Sequence, residues 1–192
     1  MIEGRNAELE HYKNMEAKLG ILTVAVLTAV SSVFAQPITL LDGKLKLETT
    51  DAFVLKKEAT SSKQSIADFE GRDESDGWGA ITRGTHGLQP DGLDTYMKNK
   101  VAEYTKGLSW VPKLNWLKKE VAAIDGRKWA DLRFIVPRKN AKDPRDGLLY
   151  TRILATSYEG QLLEIMFTSN TDEDPVLKDK IDKVMETVRL EK

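Results

Sequence analysis

The chain has only two histidines, His11 and His86, and this small number limits its metal and acid–base chemistry. His11 lies in an N-terminal segment that we expect to be removed, so a single histidine remains. One histidine cannot build a multi-histidine metal site, and a Ser-His-Asp triad would have to use His86. No Gly-x-Ser-x-Gly turn presents a serine nucleophile. We expect His86, within Gly84-Thr-His-Gly87, to lie in a loop, as an ordinary surface histidine or a ligand contact.

Acidic residues are dense between positions 68 and 76, and their type suits a hard cation. Calcium prefers several oxygen ligands from a flexible loop. The spacing differs from an EF-hand loop and Arg72 lies alongside, so a solvated turn is the alternative. The candidate cation ligands are Asp68, Glu70, Asp73, Glu74 and Asp76. We predict no cofactor.

A tryptophan and a basic loop are the candidates for contact with a partner. Trp110 follows the predicted end of a helix, where an exposed indole would suit a protein-binding hot spot and a buried one would cover the core. The loop between Pro137 and Gly147 is polar and basic, and acidic residues within it favour a solvated loop as the alternative. The candidate partner-binding residues are Trp110, Arg138, Lys139, Lys142 and Arg145. The other tryptophans are Trp78, Trp116 and Trp129.

Charged residues also fall inside predicted strands, at Asp131, Arg133, Arg152 and Glu164. Alternation along a strand places Asp131 and Arg133 on the face opposite Ala130 and its apolar neighbours. We therefore expect these charges on a solvated face, joined as cross-strand ion pairs or forming a polar binding surface. No spacing singles out a carboxylate pair of the kind that glycosidases use.

The composition excludes several functional classes for this chain. The 192 residues include 29 Lys+Arg, 30 Asp+Glu and no Cys, with a formal net charge of -1. This balance argues against nucleic-acid binding, which normally needs a basic excess. The absence of Cys excludes disulfides, thiol catalysis and iron–sulfur clusters.

The N-terminus has the pattern of an export signal. Lys18 precedes an uncharged apolar run, Leu19–Val30, which is shorter than the about 20 residues of a membrane span. Val33 and Ala35 fit cleavage before Gln36. We expect residues 1–35 to form a cleaved signal peptide. The native precursor would then start either at Met1 or at Met15, with residues 1–14 as extra residues in the second case. The alternative is an uncleaved signal that anchors the protein in the membrane.

Three Asp-Gly or Glu-Gly pairs mark hairpins in the remaining chain, 36–192, which we expect to be one domain. Asp42-Gly43 separates Ile38–Leu41 from Lys44–Glu48, with Leu45 and Leu47 facing the core. The other hairpins join Asn115–Ile124 to Lys128–Val136, and Leu148–Tyr158 to Leu162–Thr168. Strands are also expected at Ser65–Arg72 and Trp78–Arg83.

Two helices are predicted from apolar residues spaced three and four apart. The first, Asp91–Lys106, presents Leu93, Met97, Val101 and Tyr104, with Asp91 as its cap and Gly107 as its left-handed end. The second, Pro175–Arg189, presents Leu177, Ile181, Val184 and Val188, with Asp174 as its cap. The order of elements predicts an α+β domain with an antiparallel sheet flanked by helices.

The segment Gln36-Pro-Ile-Thr-Leu-Leu-Asp-Gly-Lys-Leu-Lys-Leu47 resembles the opening of mature DcrB-like proteins of the bacterial envelope. The later order of elements is similar to that family and to the wider PsbP-like α/β sandwiches, over about residues 36–190. The resemblance implies a sandwich fold, an envelope location, a link to phage adsorption and no established catalytic residues. This chain lacks the lipobox cysteine of the lipoprotein members.

Together these patterns predict an exported, periplasmic, non-enzymatic protein that binds another envelope protein or supports envelope maintenance. It would meet the membrane only through its signal segment. An inhibitor or immunity protein that blocks a toxin or hydrolase is one alternative, and it would use a protruding loop such as 137–147. A cation- or small-ligand-binding protein that uses the acids at 68–76 is the other.

Overall fold

Tight turns with positive φ angles fix the strand pairing. The computed structural model describes residues 36–58, 64–71, 77–107, 114–137, 148–170 and 175–191. Asp42 and Gly43 have φ of 53° and 91°, and the Lys44 N–H donates to the Leu41 carbonyl at 3.0 Å. This is the type I′ geometry that Asp-Gly favours. Asp125-Gly126 and Glu159-Gly160 have the same signs of φ, so all three predicted hairpins are confirmed.

Ten strands in the described residues form two antiparallel sheets. The larger sheet has the order β3-β4-β5-β9-β8-β7-β6, and the smaller has β1-β2-β10. The strands are β1 (Gln36–Leu40), β2 (Leu45–Thr49), β3 (Phe53–Glu58), β4 (Ser65–Gly71), β5 (Gly77–Gly87), β6 (Asn115–Ile124), β7 (Arg127–Pro137), β8 (Leu148–Tyr158), β9 (Gln161–Asn170) and β10 (Arg189–Leu190).

Two helices lie on opposite faces of the larger sheet. Helix α1 (Leu93–Gly107) packs Met97, Val101 and Tyr104 against Leu132, Phe134 and Ile153, on the face called here the α1 face. Helix α2 (Pro175–Glu186) packs on the other face, the α2 face, with the smaller sheet beside it. The apolar side chains of α2 and β2 share one core cluster with Phe167 and Leu154. The predicted antiparallel sheet with flanking helices is confirmed.

Several predicted boundaries differ from the structure. Strand β3 was not predicted, and β5 continues to Gly87, so His86 lies in a strand and the predicted loop is wrong. Asp91 lies inside a 3-10 turn, Pro90–Gly92, that precedes α1, and does not cap that helix. Gly107 is the last residue of α1 and has no positive φ.

The second helix ends at Glu186 and not at Arg189, because the chain extends there to pair with β2 as β10. Ile181, Val184 and Val188 are buried as predicted. Asp174 lies outside the described residues. In the part of the chain that the structure describes, the helices are too short or too polar to cross a membrane.

A close approach of β5 to β9 generates the first prediction. A Cβ added to Gly79 would lie 2.9 Å from Cζ of Phe167, a fully buried ring in the α2-face core. We expect Gly79→Ala to lower the free energy of unfolding by about 1–3 kcal/mol, because overpacked cores shift side chains and backbone. Urea unfolding followed by tryptophan fluorescence measures this change.

Gly107→Ala is the matched control, since a Cβ there would meet nothing within 4 Å. It should leave the free energy of unfolding unchanged or raise it by up to about 1 kcal/mol, the helix preference for alanine. Equal stability of the two variants would contradict the tight packing of Gly79 on Phe167.

Candidate functional site

The structure gives two of the predicted cation ligands other partners. The Ser65 hydroxyl donates to Oδ1 of Asp68 at 3.2 Å, and Lys56 Nζ lies 2.7 Å from Oε2 of Glu70. Asp73, Glu74 and Asp76 lie outside the described residues. Within the described ranges, no three acidic or histidine side chains are grouped closely enough to hold a metal ion.

The predicted partner-binding residues also lie outside the described part of the chain: Trp110, Arg138, Lys139, Lys142 and Arg145. Among the other tryptophans, Trp129 is buried in the α2-face core, and Trp116 packs on Phe134 with ring centroids 4.8 Å apart. Trp78 differs from both, because 46% of it is exposed. Its position therefore requires a separate explanation.

Trp78 belongs to a part of the α1 face that no described helix covers. Cross-strand pairing places Val54 opposite Glu70 and Glu70 opposite Trp78, so these side chains form a row across β3, β4 and β5. Val54 is 37% exposed, and Lys56 forms its ion pair with Glu70 beside the row. We call Val54, Lys56, Glu70 and Trp78 the open sheet face.

The charged residues of β7 and β8 are not on a solvated face, so that prediction is wrong. Asp131 is 1% exposed and Arg152 3% exposed, because α2 packs over the face that carries them. Arg152 Nε lies 3.2 Å from Oδ1 of Asp131, and Arg133 Nη2 lies 2.8 Å from Oδ2. The predicted cross-strand pairing is thus present, but it is buried.

Helix α2 completes this group with Asp182. Arg152 Nη1 lies 2.9 Å from Oδ1 of Asp182, and the Tyr150 hydroxyl donates to the same oxygen at 2.8 Å. Burial alone would raise the pKa of Asp131, but hydrogen bonds and charges from Arg133 and Arg152 outweigh it and lower that pKa. We call Asp131, Arg133, Arg152 and Asp182 the buried ion cluster. Lys118 Nζ also lies 3.1 Å from Oδ2 of Asp131, so both carboxylates of the cluster have cationic partners, which indicates a structural role.

Glu164 lies on the opposite, α1 face and is buried, so its predicted solvated position is also wrong. The Tyr96 hydroxyl of α1 donates to Oε2 of Glu164, and Lys100 Nζ lies 3.1 Å from the same oxygen. Burial and the neighbouring carboxylate raise the pKa of Tyr96, so its phenol stays protonated. These contacts fasten α1 to β9.

A cleft beside Tyr96 is a feature that the sequence did not predict. It has a volume of about 630 Å³, between the end of β5 and the first turns of α1. Leu88 and Leu162 give it apolar surface, and Thr85, His86 and Asn99 supply hydroxyl, imidazole and amide groups. Such a mixture suits the binding of a ligand or peptide. The only sequence signal was the Gly84-Thr-His-Gly87 segment, which now forms one wall.

Comparison with known proteins supports the fold and no more. No protein-family model and no curated protein sequence matches this chain. The solution structure of cyanobacterial PsbP (CyanoP) from Synechocystis sp. PCC 6803 is similar, with a TM-score of 0.58 and 13% identity. The match covers 84% of this chain and 95% of that one. The chain therefore has a PsbP-like fold.

Two further solved structures are more distant. LpqN of Mycobacterium tuberculosis, described as involved in cell envelope biogenesis, has a TM-score of 0.49 and 14% identity, covering 82% of this chain and 90% of its own. The Ran-binding protein Mog1p of Saccharomyces cerevisiae has a TM-score of 0.49 and 8% identity, covering 83% of this chain and 96% of its own. These values are too low to carry an argument about function.

The buried ion cluster predicts a strong dependence of stability on Asp131. Asp131→Asn should lower the free energy of unfolding at neutral pH by about 3–5 kcal/mol, because buried Arg152 and partly exposed Arg133 both lose a charged partner. The control is Asp125→Asn. Asp125 is an exposed turn residue whose Oδ2 lies 4.0 Å from Nε of Arg189, and its substitution should leave the free energy of unfolding unchanged. Urea unfolding at neutral pH compares the three proteins, and similar stabilities would contradict the role of the cluster.

The same cluster predicts the direction of the pH dependence. The folded-state pKa of Asp131 is lowered, so its contribution is complete above the unfolded value of about 3.9 and is lost as pH falls through the folded value. The native chain should therefore lose stability more steeply below about pH 4 than Asp131→Asn does. Parallel slopes in unfolding experiments over this range would show that Asp131 is not the titrating group.

The anchoring of α1 generates a separate prediction. Tyr96→Phe leaves buried Glu164 without its hydroxyl donor, so we expect a loss of about 1–3 kcal/mol in the free energy of unfolding. Tyr104→Phe is the control, because the Tyr104 hydroxyl donates to Sδ of Met166, a weak acceptor, at 3.7 Å. Thermal and urea unfolding of both variants test the difference. A larger loss for Tyr104→Phe would contradict the assignment.

Proposed function

We propose that this chain is an exported, non-catalytic, DcrB-like protein of the bacterial periplasm that binds another envelope protein through the open sheet face. The observation that carries the proposal is the exposure of Trp78 on a sheet half that no described helix covers. Tryptophan is the side chain most enriched at protein-binding hot spots. Support of envelope maintenance would follow from such binding.

The surroundings of Trp78 fit a binding surface better than a gap in the core. Glu70 lies between Val54 and Trp78 in the row, and its charge is compensated by Lys56, so the exposed surface combines apolar side chains with one ion pair, a mixture that protein interfaces commonly have. Trp78 is also carried by β5, between β4 and β9, so its backbone is held in place. A rigid indole loses little conformational entropy when a partner covers it.

The location rests on the sequence. The apolar run 19–30, followed by Val33 and Ala35, has the form of a cleaved signal peptide, and the segment Gln36–Leu47 resembles the opening of mature DcrB-like proteins. The PsbP-like fold is compatible with a non-catalytic role. The predicted alternative of a cation-binding protein is weaker, because Asp68 and Glu70 already have protein partners.

Exchange of the exposed indole tests the proposal. Trp78→Ser should reduce capture of the envelope partner at least tenfold, since hot-spot side chains contribute about 2 kcal/mol or more. In-cell crosslinking of the tagged chain, affinity capture and quantitative mass spectrometry measure the yield of each captured protein.

Leu117→Ser is the matched control, because Leu117 is also 46% exposed but lies on β6, at the far edge of the sheet. It should leave capture unchanged, and unfolding curves should show both variants folded. A single partner captured in equal yield by all three proteins would disprove the role of the open sheet face. A near-stoichiometric toxin or hydrolase as the partner would favour the inhibitor alternative.

A further inference from the structure

The cleft beside Tyr96 lies between two walls that are each fastened to the larger sheet. One wall is the start of α1, which the hydrogen bond from Tyr96 to Glu164 holds against β9. The other wall is the segment that follows β5. There the Leu88 N–H donates to the Gly160 carbonyl at 2.8 Å, and the Ser157 hydroxyl donates to the Leu88 carbonyl. The cleft is therefore held in shape by the protein itself, as is usual for small-molecule sites.

The size and the apolar surface of the cleft also fit a small molecule. Its volume of about 630 Å³ lies within the range of about 300–1,000 Å³ that ligand sites have. Leu88, Leu162 and Tyr96 line it. Because the Tyr96 hydroxyl is bonded to Glu164, the ring is the part of Tyr96 that remains for a ligand. An aromatic ring has a negative face, which packs well against C–H groups.

The polar side chains that line the cleft are hydroxyl, amide and imidazole groups. They belong to Thr85, His86, Gln89, Thr95 and Asn99. Hydroxyl and amide side chains can each donate and accept hydrogen bonds. Within the described ranges, none of these five side chains has a hydrogen-bond partner, so a ligand can bind them without displacing a protein contact.

The charge of the cleft limits the class of ligand. Its lining, which lies entirely within the described residues, contains no Lys, Arg, Asp or Glu. Glu164, which accepts the hydrogen bond of Tyr96, is paired with Lys100 at 3.1 Å. A charged ligand would lose hydration in the cleft without gaining a counter-ion. The cleft therefore favours a neutral ligand that has many hydrogen-bonding groups and one apolar surface.

We propose that this cleft binds a neutral saccharide, with its hydroxyl groups bonded to Gln89, Thr95 and Asn99 and a C–H face packed on Leu162 and Tyr96. A sugar hydroxyl both donates and accepts, which matches the hydroxyl and amide side chains. A pyranose ring carries hydroxyls around its rim and C–H groups on its faces, so one molecule satisfies both surfaces. A purely apolar ligand would leave the polar side chains without partners. The inference does not rest on the proposed function, because the cleft and the open sheet face share no residue.

Two neutral disaccharides test the site directly. Cellobiose and N,N′-diacetylchitobiose are added separately to the ¹⁵N-labelled full-length chain, and the backbone and side-chain amide signals are followed by NMR. At least one of them should give saturable shifts with a Kd of about 10 mM or less, and these shifts should include the side-chain amides of Gln89 and Asn99. No saturable shift with either disaccharide, or shifts confined to residues outside the cleft, would overturn the proposal.

A charged analogue tests the requirement for a neutral ligand. Cellobiuronate carries a carboxylate in place of one hydroxymethyl group of cellobiose. It should bind at least about fivefold more weakly than the better of the two neutral disaccharides, because nothing in the cleft compensates its charge. Equal or tighter binding of cellobiuronate would contradict a site for neutral saccharides.

Variants of the chain test the placement of the ligand. Asn99→Ala should weaken binding of the better disaccharide at least about fivefold, because a ligand hydroxyl loses its amide partner. Lys98→Ala is the matched control, since Lys98 is an exposed neighbour on the same helix that does not line the cleft, and it should keep the affinity. Unfolding curves check that both variants are folded. Equal affinities of the two variants would overturn the proposal, as would loss of binding with Trp78→Ser, which would place the sugar on the exposed indole.

Discussion

The burial of unlike charges between the sheet and α2 is the constraint on which the rest of the fold depends. Arg152 on a central strand can leave water only if carboxylates compensate its charge, and they come from β7 through Asp131 and from α2 through Asp182. This requirement fixes the position of α2 to within hydrogen-bond distance. Because Val184 and Val188 pack with Leu45 and Leu47 in the same core, the position of α2 also determines where the smaller sheet can lie. The ion pairs of Arg152 with Asp131 and Asp182 therefore position the elements of the α2 face.

The incomplete cover of the α1 face follows from the width of the larger sheet compared with that of one helix. Seven strands spaced about 4.8 Å apart make a sheet roughly 29 Å wide, whereas one helix is about 10 Å in diameter. Helix α1 is anchored to Glu164 and packs over β6, β7 and β8, so it cannot also cover β3, β4 and the outer part of β5. The α2 face has a helix and a second sheet to cover the same width. The open sheet face and the cleft are thus consequences of having a single helix on the α1 face.

The tight turns could be predicted from the sequence, but the burial of charged side chains by elements distant in the chain could not. Asp42-Gly43 and Asp125-Gly126 encode their turns in two residues, so the hairpins and their antiparallel pairing could be predicted. Asp131 was misplaced because alternation separates the two faces of a strand without showing whether the polar face is solvated. That depends on Asp182, which is 51 positions away in the chain. The extension of β5 was missed because Gly84-Thr-His-Gly87 has no apolar alternation and is held through Leu162 and Gly160 on another strand.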